Sequence, residues 1–156
     1  MPPRVYADTS VIGGVFDPNF AIDSTWIFEE VAQGSLILLV SNVLEAEVSE
    51  APESVRQVLG DLPASAVEPV FLDARAKGLR DAYLAAKVVG PKRALDATHV
   101  AIATIARADA LLSWDRRHIV GLARVQGYNR VNRSCGYQEV TIATPTRYRA
   151  AQTRTP

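Results

Sequence analysis

A run without alternation limits this chain's fold more than any other feature. Leu36-Ile37-Leu38-Leu39-Val40 is apolar at every position. A strand with one wet face would alternate apolar and polar residues. This run, bounded by Gly34 and Ser41-Asn42, therefore reads as a strand covered on both faces, as in a parallel sheet. Arg4-Val5-Tyr6-Ala7 reads as a buried first strand and Ala110-Leu111-Leu112-Ser113 as a later one. The stretch 94–108 is apolar almost all round, which marks a helix buried in the middle of a fold.

Turn and cap residues divide the rest. Gly13-Gly14 and Asp17-Pro18-Asn19 mark a loop after the first strand. Residues 22–32 read as a helix with Ile22, Trp26, Ile27, Glu30 and Val31 near one face. Ser41-Asn42 offers N-cap chemistry for a helix to about Glu50, with Glu45 placed as the capping-box partner of Asn42. Ala51-Pro52 ends it, and a short helix through 55–59 follows. Val70-Phe71-Leu72 is predicted as a short strand and Asp73 as the cap of the next helix. Val140-Thr141-Ile142 is predicted as the last strand. The order β-α-β-α-α-β-α-α-β predicts a three-layer α/β/α sandwich with a mainly parallel central sheet. Residues 1–146 read as one domain, and 147–156 as a loose polar tail.

Composition excludes several classes. Hydrophobic residues are 48% of the chain, enough for a packed core. Cys135 is the single cysteine, so an internal disulfide framework and a multi-cysteine zinc site are out, and a cytoplasmic setting is expected. No signal peptide is visible, and no stretch approaches the ~20 apolar residues that span a bilayer. The net charge is zero but uneven. After Asp115 there are eight arginines and one acid, Glu139. That basic stretch suits an anionic partner such as RNA, and Arg116 and Arg117 are its candidates for phosphate contact.

Four acids have a physical case for meeting. Asp8 follows the first strand and Asp115 follows the strand at 110–113. In an open α/β sheet that end of the strands forms the ligand crevice. Asp96 opens the buried helix, where the dipole favours a carboxylate. Glu47 falls within the apolar stripe Val43, Leu44, Val48, Ala51, so it is expected to be a desolvated acid that needs a cation or a partner. Acids held together repel, and a hard divalent cation, magnesium or manganese, relieves that repulsion. The chemistry that matches is phosphodiester hydrolysis. Ser10 and Ser113 read either as groups that orient these carboxylates and their water or as ordinary turn residues. His99, one turn after Asp96, reads as a packed, hydrogen-bonded histidine that can back up a ligand.

Asp8-Thr9-Ser10, Ser41 through Glu47-Val48, Leu95-Asp96-Ala97-Thr98-His99-Val100-Ala101-Ile102-Ala103 and Ser113-Trp114-Asp115 together resemble the PIN-domain nucleases, in particular the VapC-type toxins of toxin–antitoxin pairs. The resemblance runs from about Val5 to Pro145. It implies a parallel sheet between helices, an acidic magnesium or manganese site and cleavage of single-stranded RNA. It further implies a homodimer, with a cognate antitoxin as a candidate partner; no membrane partner is expected, since no stretch is apolar enough to span a bilayer. By position, Asp8, Glu47, Asp96 and Asp115 match the family's acids, and Ser10 its small hydroxyl residue. Members with Ser-Trp at this strand end, followed by His118-Ile119-Val120, often carry asparagine at the place of Asp115, which implies an auxiliary role there. A phosphoaspartyl enzyme of the haloacid-dehalogenase type would need a second Asp where Ser10 stands. A catalytically silent PIN-like RNA-binding or protein-interaction module is the alternative, and four intact acids speak against it.

Overall fold

Successive residues of a strand point to opposite faces, and in this protein both faces are apolar. A computed structural model describes residues 1–154. The strands are β1 (Arg4–Ala7), β2 (Ile37–Ser41), β3 (Val67–Val70), β4 (Ala110–Leu112) and β5 (Ile142–Ala143). They form one sheet in the order β3-β2-β1-β4-β5, and every neighbouring pair is parallel. Parallel neighbours need helical crossovers. These are α1 (Thr9–Gly14) and α2 (Ala21–Ala32), then α3 (Asn42–Ser49) and α4 (Glu53–Gly60), then α5 (Ala74–Ala85) and α6 (Ala94–Ile105), then α7 (Leu122–Ser134). A last helix, α8 (Pro145–Thr153), follows β5.

Tyr6, Leu39 and Leu111 face one helical layer, where they pack with Leu79 and Tyr83 of α5, Val100 of α6 and Tyr128 of α7. Their strand neighbours Val5, Ala7, Leu38, Val40, Ala110 and Leu112 face the other, with Val11, Ile27, Leu44 and Tyr148. The predicted three-layer sandwich is the observed one. No helix among the described residues is long and apolar enough to cross a membrane.

The chain leaves β1 outward through β2 to β3, then returns to the other side for β4 and β5. The strand order therefore reverses between β1 and β4, which is where such sheets open a crevice at their carboxyl ends. Ala7 pairs with Leu112, and the Asp8 amide donates to the Leu112 carbonyl at 3.1 Å. Asp8 and Ser113 thus leave the sheet side by side.

Several local expectations are corrected. The third strand is Val67–Val70, three residues earlier than 70–72, and it carries Pro69, which an edge strand tolerates. The last strand is Ile142–Ala143 rather than 140–142. Ser41, not Asn42, caps α3 by accepting from the Leu44 amide, so Glu45 is one position too late for a capping box. The buried face of α2 is Ser24, Ile27, Phe28 and Val31, and Ile22 is 78% exposed. The stretch from Arg147, expected as a loose tail, is helical to Thr153. Tyr148 is buried against the sheet, and Asp23 of α2 accepts from Arg149 Nη1 at 3.1 Å and Thr146 Oγ1 at 2.7 Å. The two final tail residues, Thr155 and Pro156, lie outside the described residues.

Candidate active site

Asp8 is the N-cap of α1 and is 6% exposed. Its Oδ1 accepts from the amides of Ser10 and Val11 and from Ser10 Oγ at 2.5 Å, and its Oδ2 accepts from Ser113 Oγ at 2.6 Å. Burial pushes this carboxyl above its ordinary range, and the two serine hydroxyls act against that. Ser113 Oγ also accepts from the Asp115 amide at 3.0 Å, and Ser10 Oγ accepts from the Trp114 amide at 2.9 Å. The two serines thereby tie the loop after β1 to the loop after β4. Both hydroxyls donate to the Asp8 carboxylate and also accept from loop amides.

Trp114 fixes the second loop from outside. Its indole Nε1 donates to Ser24 Oγ at 2.9 Å, and its ring stacks on Phe20 with centroids 4.4 Å apart. Gly14 makes room for this bond. A Cβ at that position would lie 2.5 Å from Ser24 Oγ and 2.7 Å from Trp114 Nε1.

Beyond that anchor the loop turns back on Asp115. Its Oδ1 accepts from the amides of Arg117 and His118 at 3.0 and 2.9 Å, and its Oδ2 is 3.3 Å from His118 Nδ1. Tyr128 Oη donates to the His118 carbonyl at 2.8 Å and pins the far side of the turn. Across from it, Asp96 projects from the first turn of α6. Asp96, Asp115 and His118 each offer a donor atom, and the three atoms lie within 4.8 Å of one another. All three residues are half-buried. Burial first, and then the charge of Asp115, push the Asp96 carboxyl above its ordinary range. Two carboxylates and an imidazole at this spacing, with one acid strained by the other, are a donor set that fits a divalent cation.

Sequence reasoning missed His118 as a member of this group. Its only signal was an i, i+3 spacing from Asp115, and its other neighbour, Asp96, is distant in the chain. Of the four acids singled out in the sequence, Asp96 and Asp115 bring donor atoms within 4.8 Å of one another, and Asp8 is joined to the Asp115 loop through Ser113. Glu47, expected to need a cation or a partner, has a side-chain partner in the fold. It pairs with Nε2 of His99, a ring only 3% exposed. Burial works to raise the Glu47 carboxyl, but His99 outweighs it and holds the group below its ordinary range. Arg116 and Arg117 are exposed beside the site. Arg116 lines a cleft with Leu122, Thr144 and Arg147.

No protein-family model matches the chain, and no curated protein does. Solved structures do. A chain of the VapBC2 complex of Rickettsia felis, solved with a promoter DNA fragment, matches with a TM-score of 0.56 at 12% identity, over 89% of this chain and 96% of that one. FitAcB of Neisseria gonorrhoeae matches with 0.54 at 16% identity, over 90% and 97%. VapC20 of Mycobacterium tuberculosis, a toxin that cleaves the sarcin-ricin loop, matches with 0.51 at 12% identity, over 87% and 98%. At such identities the likeness is one of fold, and it establishes that this chain has the PIN-domain fold of the VapC and FitB toxins.

Proposed function

We propose that the protein is a divalent-metal-dependent endoribonuclease that hydrolyses phosphodiester bonds of single-stranded RNA, a toxin-type PIN nuclease. The observation that carries this reading is the convergence of Asp96, Asp115 and His118 at the switch point of the sheet, with Asp8 directly behind. These are the residues that would hold the cation, manganese or magnesium. The chemistry such a cation supplies is activation of water and neutralisation of charge developing on the scissile phosphate. Asp8, saturated by amide and serine donors, fixes the two loops relative to each other. Arg116 and Arg117, exposed next to Asp115, are placed to meet the anionic backbone of a substrate. A cognate antitoxin and a homodimeric assembly belong to the same reading. It draws support from neighbours solved as VapBC2 and FitAB assemblies.

The test is cleavage of a labelled single-stranded RNA by the purified full chain in manganese or magnesium, before and after EDTA. Cleavage that starts with the metal and stops with the chelator is the expected result. Cleavage indifferent to EDTA would remove the metal from the account.

A further inference from the structure

The pair formed by Glu47 and His99 is one end of a buried chain of hydrogen bonds that the nuclease reading does not use. Ser41, wholly buried, accepts at Oγ from the Leu44 amide at 2.9 Å. Tyr6 Oη is 2.8 Å from that oxygen and 2.6 Å from His99 Nδ1. His99 Nε2 contacts Glu47 Oε1. Four separate elements supply these groups: Tyr6 from β1, Ser41 from the end of β2, Glu47 from α3 and His99 from α6.

Donor accounting gives the chain one direction. A carboxylate only accepts, so the imidazole proton sits on Nε2 and is donated to Glu47. A neutral ring then has a bare Nδ1, which must accept, and Tyr6 is the donor within reach. Tyr6, having given its proton to Nδ1, accepts from the Ser41 hydroxyl, whose own proton the Leu44 amide does not use. Every group is satisfied once, and no other arrangement of a neutral ring against an ionised Glu47 satisfies them all. The ring also packs on Tyr6 in a tilted contact, with centroids 5.6 Å apart and planes at 53°.

We infer that His99 is a positioning residue for Glu47: with its proton placed by Tyr6 and Ser41, it fixes one oxygen of that carboxylate and leaves the other, on the half-exposed side, to face the cation site. This rests on the nuclease reading. It gives Glu47 the kind of support behind a ligand that tunes metal sites, where loss of the supporting group typically weakens metal affinity by roughly 10- to 100-fold.

The experiment measures manganese affinity of the full chain by electron paramagnetic resonance, with folding of each variant checked by circular dichroism at the same temperature. His99→Leu keeps bulk and removes the donor, and its affinity falls within that 10- to 100-fold range. His99→Gln offers a side-chain N–H at about the Nε2 position, and it recovers most of the loss. Tyr6→Phe keeps the ring packing and frees the imidazole proton to move to Nδ1, so affinity falls by roughly 10-fold, the low end of the same range. Should His99→Leu fail to fold, Tyr6→Phe and His99→Gln decide the matter between them. A purely structural His99 would lower melting temperatures and leave affinity alone. Wild-type affinity in folded His99→Leu or in Tyr6→Phe overturns the inference while the nuclease reading stands. Absence of manganese uptake by the wild type overturns both.

Discussion

The two ends of α6 show one rule of helix electrostatics applied with and without balance. At its C-terminal end Arg4 donates to the carbonyls of Ala106 and Arg107 at 3.0 and 3.1 Å and pairs with Glu68, and its amide donates to Asp109. At its N-terminal end stands Asp96, facing Asp115. A cation at one end and an acid at the other both agree with the macrodipole. The difference is in the remainder. Glu68, held by Arg4, lies below the usual carboxylate range, whereas Asp96, through burial and then Asp115, lies above it. Among the described residues no Lys or Arg forms an ion pair with Asp8, Asp96 or Asp115. The amino end of the sheet is a closed network that stabilises the fold. The carboxyl end holds surplus negative charge, which the fold alone does not call for.

The largest effect expected from this contrast is on catalysis. Asp96→Asn should cut RNA cleavage at least about 100-fold, the scale of losing one group that offsets transition-state charge. Asp115→Asn should cut it less, because an asparagine Oδ1 can still accept from the amides of Arg117 and His118. Single-turnover rates on one RNA decide the order, and equal losses would give Asp115 the same weight as Asp96.

Glu47→Gln comes next, and it separates a satisfied acid from an unsatisfied one. The mutation removes a charge-assisted hydrogen bond from a buried histidine, so the metal-free protein should lose about 1.5–3 kcal/mol. The sign follows from linkage. A carboxyl held low when folded contributes stability above its unfolded pKa, and that contribution is lost as pH falls through the folded value. The gap between wild type and Glu47→Gln in urea melts should therefore be full at pH 7 and shrink in acid. An unchanged or higher stability at pH 7 would return Glu47 to the status of an unpaired, crowded acid.

A smaller effect sharpens the identity of the cation. A nitrogen donor favours manganese over magnesium, and an all-oxygen set does not. His118→Gln should narrow the ratio of manganese to magnesium affinity by roughly 10-fold, one step of 1.4 kcal/mol. An unaltered ratio would place the imidazole outside the coordination sphere. The smallest effect lies at the balanced end. Glu68→Gln should change stability by no more than about 1 kcal/mol, as expected of a pair with partly exposed partners, and should leave RNA cleavage alone.

The sequence disclosed what depends on local pattern. The unbroken run at 36–40 and the apolar helix at 94–105 are legible because a buried parallel sheet needs them. Acids placed just past strands are legible because of where such sheets bind ligands. What stayed hidden depends on contacts distant in the chain. His99 reaches Glu47 across 52 positions, so the exception in an apolar stripe was visible and its partner was not. The turn that brings His118 toward Asp96 is set by Asp115 and Tyr128 together. Helix α8 has a polar sequence and packs through Tyr148 and its grip on Asp23, which local propensity does not reveal. At β3, Pro69 argued against a strand that the sheet edge accepts.

Thermal melting of wild type and Asp96→Asn, each with and without manganese, tests the surplus-charge account most directly. Without metal at pH 7, Asp96→Asn should melt higher than wild type, because a carboxyl raised in the folded state destabilises it once ionised. The two should converge below the unfolded pKa of about 3.9. With manganese the order should reverse, since only the wild type gains binding free energy. If manganese raises both melting temperatures equally, or neither, the charge at the carboxyl end of the sheet is not held for a cation.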